Sequence, residues 1–249
     1  MRSLHARSLV TMVIAPAFAA LAVAGVGIVQ AARPAGATPA QVSASSVAQR
    51  TPVTAGRLVP SRVPGLGARA ATLIPSSSSE IIVVSGADNP ARTVTVALWQ
   101  RSASGSWERT GGPWHGHIGW AGWGKKRVND GRSPIGVFTL TEAGGTLPAP
   151  AGTRLPYDHS AVYTYRSGFG AYVVRIDYNV AASDLHKTPK DTPAAVWGKG
   201  SGIWLHVDTA TPTAGCTSVP TAAMRFILSR LDPAAHPVIV QGPPSFLHA

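Results

Sequence analysis

The chain has 249 residues, a formal net charge of +11, 45% hydrophobic residues and a single cysteine. One thiol excludes an intramolecular disulfide framework, and an apolar content this high excludes a wholly disordered polyelectrolyte. Arg2, Arg7, Arg33, Arg50, Arg57, Arg62 and Arg69 are the only charged side chains before Glu80, so most of the positive excess belongs to the N-terminal third. Such a basic segment suits a polyanionic membrane or wall surface, or serves only topology and solubility.

Arg2 and Arg7 precede an apolar run from Leu9 to Val29, followed by small residues with an A-x-A-like site at Val29-Gln30-Ala31. Residues 1–32 therefore read as a signal peptide or as an N-terminal membrane anchor at 9–29. The run exceeds the roughly 7 to 15 residues of a signal core and approaches the ~20 that span a bilayer. In both cases the arginines favour an extracytoplasmic bulk, secreted or held by an uncleaved anchor. Nucleic acid is not an expected partner there. Without a cysteine near residue 30, a lipid-attachment site of the bacterial type is excluded.

Residues 33–79, rich in Ala, Pro and Ser, read as a linker too poor in large apolar side chains to offset its ordering entropy. Residues 80–249 are then one domain, and their pattern is mainly β. Thr93 to Trp99 and Ala171 to Tyr178 alternate apolar and polar side chains. Ile81 to Val84, Ser106 to Arg109, Gly136 to Leu140, Ala161 to Tyr165, Ile203 to Val207 and Val238 to Val240 are shorter candidate strands between turn residues. A helix is expected after Pro220, where Ala223, Met224, Ile227, Leu228 and Leu231 recur at three and four spacing until Asp232-Pro233.

Cys216 follows His206 by ten positions, in Leu205-His206-Val207-Asp208 and Thr213-Ala214-Gly215-Cys216-Thr217-Ser218. An unpaired thiol in an exported chain implies a chemical role, and a thiol, a candidate base and an adjacent glycine are the parts of a covalent acyl-transfer site. Period two puts Trp204 and His206 on one face of their strand, opposite Ile203, Leu205 and Val207. A turn over Thr209 to Ala214 would return the chain so that Cys216 approaches His206. Gly215 leaves room for a carbonyl beside the backbone N–H groups of Gly215 and Cys216, and a helix aimed at the sulfur would favour the thiolate.

The His206 strand, the Gly215-Cys216 pair and the helix after it resemble the signature of the L,D-transpeptidase catalytic domain of bacterial cell-wall enzymes. Asp130-Gly131-Arg132-Ser133-Pro134-Ile135-Gly136-Val137-Phe138 is similar to that family's Thr-Pro-x-Gly-x-Phe segment, and Leu155-Pro156-Tyr157 and Ile176-Asp177-Tyr178-Asn179 fit the same setting. The resemblance, over about Glu80 to Gly242, implies a β-sandwich or barrel with few short helices. It further implies that Cys216 attacks a tetrapeptide stem of peptidoglycan, releases terminal D-alanine and passes the acyl group to a second stem's amine. His206 would take the thiol proton, the Gly215 and Cys216 amides would hold the oxyanion, and Tyr178 would add a donor. No metal or organic cofactor is implied. The chain departs from the family pattern Ser-His-Gly-Cys at Ala214, and from the usual Asn or Arg two positions after the cysteine at Ser218, which leaves Ser218 to support the site. Its gap between His206 and Cys216 is also shorter than usual.

Other readings remain open at this stage: an L,D-carboxypeptidase of the same fold, or a secreted wall-binding protein that has lost turnover. A papain-like order would need His236 or His248, and a sortase-like one would cast His159 and Arg225, the latter on an apolar-striped helix. His115 and His117 read as loop residues before they read as metal ligands. Lys125-Lys126-Arg127 reads as a solvated turn or as a grip on an anion, and Trp114, Trp120 and Trp123 as core filling or a sugar-stacking surface.

Overall fold

A computed structural model describes residues 62–163, 166–185 and 194–249, the side chains of 166–168 excepted. The expected signal or anchor at 1–32 and the linker up to residue 61 lie outside the described residues. Among the described residues ten strands form two five-stranded sheets. The first comprises β1 (Glu80–Ser85), β2 (Thr93–Arg101), β3 (Trp107–His117), β4 (Gly136–Thr139) and β10 (Val238–Gly242), in the order β3-β2-β1-β10-β4. The second comprises β5 (Ala143–Gly145), β6 (Tyr157–His159), β7 (Val173–Arg175), β8 (Trp204–Val207) and β9 (Thr217–Val219), in the order β6-β5-β7-β8-β9. The fold is mainly β with two sheets and few short helices, as the sequence led us to expect.

The central strands β1 and β10 of the first sheet are apolar on both faces because both faces are covered, whereas β2 and β3 are partly exposed. In β1, Ile82 and Val84 join the core between the sheets while Ile81 turns to a second cluster outside; β10 splits likewise, Ile239 inward and Val238 and Val240 outward. The second sheet contributes Ala143, Val174, Leu205, Val207 and Val219 to the central core. Helix α2 (Thr221–Arg230) closes it with Ala223, Met224, Ile227 and Leu228, the stripe its spacing predicts.

The outer cluster revises the linker boundary. Val63, Leu66 and Ala70 are buried with Ile81, Trp107, Val238 and Leu247, and short helix α1 (Ala68–Thr72) lies within this segment. The Gly67 N–H donates to the Leu247 carbonyl at 2.7 Å and the Arg69 N–H to Ala249 at 2.9 Å. Residues 62–79 thus belong to the packed domain. The error came from composition: three apolar side chains among small ones are enough when the C-terminal residues, including helix α3 (Pro244–Leu247), meet them.

Two strand assignments also change. Ala161 to Tyr165 alternates like a strand, yet Ala161–Tyr163 is a 3-10 turn, because Tyr163 is buried edge-on against Trp204 at 5.7 Å. Residues 164 and 165 lie outside the described residues. In Ala171 to Tyr178 only Val173–Arg175 pairs as a strand. Arg175 and Asp177 beyond it form a buried ion pair at 2.6 Å, to which Thr139 and Thr141 add hydroxyl bonds.

Candidate active site

Strands β8 and β9 run parallel with His206 directly opposite Ser218. Cys216 lies just before β9, two residues ahead of Ser218, so continuing the strand's period of two puts it on the same outer side of the second sheet as the imidazole. There Tyr163, Val173 and Trp204 form a small apolar cluster with Phe169 and Cys216 packed against it. His206 and Cys216 share a cleft of about 480 Å³ with Phe169, Thr213 and Ala214. A second cleft of about 820 Å³, lined by Lys125, Trp197, Gly202 and Ile203, also reaches Ala214 and Cys216. The sulfur therefore stands where two clefts meet.

The imidazole is fixed in one tautomer. Nδ1 lies 2.8 Å from the carbonyl of Val207, which accepts only if Nδ1 carries the hydrogen. Nε2 is left as a lone-pair acceptor, buried and without a hydrogen-bond partner among the described residues. A buried unsatisfied acceptor is costly, and this one lies on the cleft that Cys216 also lines. The Phe169 ring covers the imidazole with centroids 3.7 Å apart. Burial accordingly drives the His206 pKa down to about 4, against the opposing pull of the Val207 bond and the Asp208 charge.

The thiol is pushed the other way. Burial raises Cys216 to about 11, although the Trp204 N–H points at Sγ from 3.4 Å and the Lys125 charge opposes the rise. Both shifts favour the neutral forms at rest, and the thiol points to the Gly202 carbonyl at 3.7 Å and not to His206 Nε2. The expectation that a helix end would favour the thiolate fails on topology: β9 intervenes, and α2 begins at Thr221, beyond the far end of that strand from Cys216.

The nucleophile loop is tied down from behind. The Ser133 hydroxyl donates to the Gly215 carbonyl at 2.8 Å, and Thr213 Oγ1 donates to the Cys216 carbonyl at 2.7 Å. Gly215 has φ +138°, and a Cβ there would fall 2.8 Å from the Arg132 carbonyl, so glycine is required for conformation and for space. Its N–H donates to Thr213 Oγ1 at 3.1 Å and is thus already engaged in the resting site.

The Ser218 hydroxyl is engaged by Asp208 and His117. The residue is fully buried and its hydroxyl donates to Asp208 at 2.5 Å, while it accepts the His117 N–H at 3.0 Å. His117 Nδ1 meets the same carboxylate at 2.8 Å. Burial works against the Asp208 carboxylate, but the bonds from Ser218 and His117 outweigh it and hold its pKa below the usual range. This approach of β3 to β9 needs Gly116, where a Cβ would lie 1.8 Å from the Ser218 carbonyl. Tyr178 is buried with its hydroxyl 3.5 Å from the carbonyls of Lys125 and Lys199, and it lines neither cleft. Lys125 is not solvated as expected: its side chain is 4% exposed and paired with Asp130 at 3.1 Å, while Lys126 and Arg127 are exposed.

Reading the sequence alone missed Phe169, Ser133 and the His117–Asp208 pair. Asp208 carried a faint signal, its place two residues after His206. Among curated proteins no match was found. The family model of the L,D-transpeptidase catalytic domain (YkuD) matches residues 81–240, a span that runs from β1 to β10 and holds both His206 and Cys216, and the chain belongs to that family.

Proposed function

We propose that this chain is a peptidoglycan L,D-transpeptidase acting outside the cytoplasm, with Cys216 as nucleophile and His206 as base. The observation that carries the reading is the thiol at the junction of two clefts, an arrangement that admits an acyl donor from one side and an acceptor from the other. His206 Nε2 takes the thiol proton as Sγ attacks the donor carbonyl. The proton passes to the departing amine of D-alanine, leaving a thioester. The acceptor amine then attacks that thioester, gives a proton to Nε2 and expels the sulfur, which is reprotonated from His206. The Cys216 N–H, and the Gly215 N–H once released from Thr213, are the donors nearest the developing oxyanion.

Two neutral groups in an apolar cleft suit this order of events, because the ion pair forms only when a carbonyl is present to receive the electrons. Residues 80–249 carry the chemistry in this reading, and the N-terminal segment, whether cleaved signal or anchor at 9–29, supplies location. The same thioester consumed by water would make the chain an L,D-carboxypeptidase. Incubation of the purified protein with tetrapeptide muropeptides, read by mass spectrometry, tests the proposal. A cross-linked dimer supports transpeptidation; loss of terminal alanine without dimer assigns the carboxypeptidase; no change, with intact Cys216, favours a wall-binding protein.

A further inference from the structure

A third cleft, of about 850 Å³, opens on a different face of the loop that buttresses the nucleophile and does not include Cys216. One wall is Trp120, 54% exposed, in a domain that buries Trp123 completely. The Trp120 indole is not a loose side chain. It lies on Gly131, where a Cβ would fall 2.1 Å from the ring, and its backbone N–H donates to the Thr213 carbonyl at 2.8 Å. An aromatic face held flat and open to water is a stacking platform.

The charge around this platform is one-sided. Lys126, Arg127, Asp130 and Arg132 share the lining. The Asp130 carboxylate is consumed internally, taking the N–H groups of Lys126 at 2.7 Å, Arg127 at 3.1 Å and Arg132 at 3.1 Å, and the Lys125 ammonium at 3.1 Å. Arg132 spends one guanidinium nitrogen on the Trp123 carbonyl at 2.8 Å. Among the described residues Lys126, Arg127 and Arg132 have no carboxylate partner. The turn thus uses its one acid to present three cations beside one indole.

We propose that this cleft binds an anionic sugar unit of a wall glycan, the pyranose ring stacked on Trp120 and its phosphate or carboxylate held by Lys126, Arg127 and Arg132. A single platform fits one saccharide ring flanked by charge. Single-stranded nucleic acid, the other ligand of aromatic and cationic surfaces, calls for successive platforms along a groove. The site is independent of the thiol chemistry but not remote from it: the Arg132 carbonyl that packs against Gly215 and the Trp120 N–H that holds Thr213 connect the cleft to the nucleophile loop. Glycan held there would keep a polymeric donor close to Cys216.

The test is titration of the full chain, and of its Cys216→Ser variant, with four probes: N-acetylglucosamine 6-phosphate, tetragalacturonate, neutral chitotetraose and oligo-dT. Calorimetry and tryptophan fluorescence supply the readouts. The proposal expects the anionic saccharides to bind, chitotetraose to bind at least about fivefold more weakly, and added salt to erase that difference. The phosphate and carboxylate probes distinguish the two sources of charge. Trp120→Ala should weaken binding by roughly fivefold or more, the low end of what a stacking platform contributes. The double variant Lys126→Gln, Arg127→Gln changes only exposed side chains and should weaken the salt dependence, leaving what Arg132 supplies. Cys216→Ser should bind like the parent, which separates this site from the proposed catalysis. Equal binding of neutral chitotetraose, tighter binding of oligo-dT, or affinity unchanged in both Trp120→Ala and the double variant would each overturn it.

Discussion

Alkylation of Cys216 in the resting protein should be slow, in contrast to the usual behaviour of a thiol poised as a thiolate. With its pKa raised to about 11 by burial, roughly one molecule in 10⁴ carries the thiolate at pH 7. A free thiol near 8.5 is a few per cent ionised, so the ratio of reactive forms is roughly 300 in favour of the free thiol. Restricted entry through the cleft lowers the rate further. The assay is iodoacetamide labelling followed by intact mass between pH 6 and 11, beside glutathione. The rate should climb tenfold per pH unit to beyond pH 10. His206, neutral down to about pH 4, remains a competent base throughout, so the acid limb of kcat/KM should fall near 4 and not near 6.5. His206→Gln keeps a hydrogen bond without basicity and should lose turnover near neutrality while the labelling profile stays where it was. A labelling rate at pH 7 equal to or above that of glutathione would refute the neutral pair and restore an imidazolium–thiolate pair at rest.

Three further outcomes follow from the same structure. His206 has a folded pKa of about 4 against about 6.5 unfolded, so the unfolded chain binds the extra proton between those values. Stability should therefore be full above pH 6.5 and fall by roughly 3 kcal/mol as the pH drops to 4; thermal melts of the parent should show this slope and those of His206→Gln should lack it. Cutting the chain at residue 80 exposes the cluster that Val63 and Leu66 cover, a loss of about 3 to 5 kcal/mol, so an 80–249 fragment should melt on the order of 10 °C below one that begins at residue 62. Asp208→Asn removes the carboxylate nearest the His206 that must become charged, so kcat should fall by roughly tenfold with KM little changed, whereas Ser218→Ala should cost about 1 to 2 kcal/mol of stability by stripping a hydroxyl from a half-buried carboxylate. Equal kcat in Asp208→Asn would make the His117–Asp208–Ser218 network purely structural.

Elements that draw their signal from their own side chains were legible in the sequence. β1, β2 and β10 show the alternation or continuous apolar run of buried strands, and α2 shows its stripe. β5, Ala143-Gly144-Gly145, has almost no side chain to alternate, and β9 is three residues long; both exist because neighbours pair with them. That His206 and Cys216 line one cleft was readable because period two is rigid and the turn between them is short. Phe169 and the His117–Asp208 contact were not, since the first arrives from a 3-10 turn and the second from the end of β3, 91 positions away along the chain. Electrostatics was the least legible layer. The sign of the Cys216 shift depends on burial by Trp204 and its neighbours, which no local motif encodes.

The departures from the family pattern acquire a physical meaning once the clefts are in view. Ala214 lines both clefts that reach the sulfur, and it stands where the pattern carries a histidine. A side chain of that size at the junction would occupy part of the passage between the clefts, and the methyl group leaves it open. Ser218 replaces an Asn or Arg, and being fully buried it holds Asp208 instead of reaching substrate. Ala214 leaves the cleft wall without a polar side chain, and Ser218 spends its hydroxyl on Asp208. Among the described residues the charges that act on the site are Lys125 on the thiol and Asp208 on the imidazole, and both shifts favour the neutral forms. At rest the sulfur's polar neighbours are the Trp204 N–H at 3.4 Å and the Gly202 carbonyl at 3.7 Å, so the proposed function requires that a carbonyl seated against the loop held by Ser133 and Thr213 draw the thiol proton away from Gly202 and toward His206.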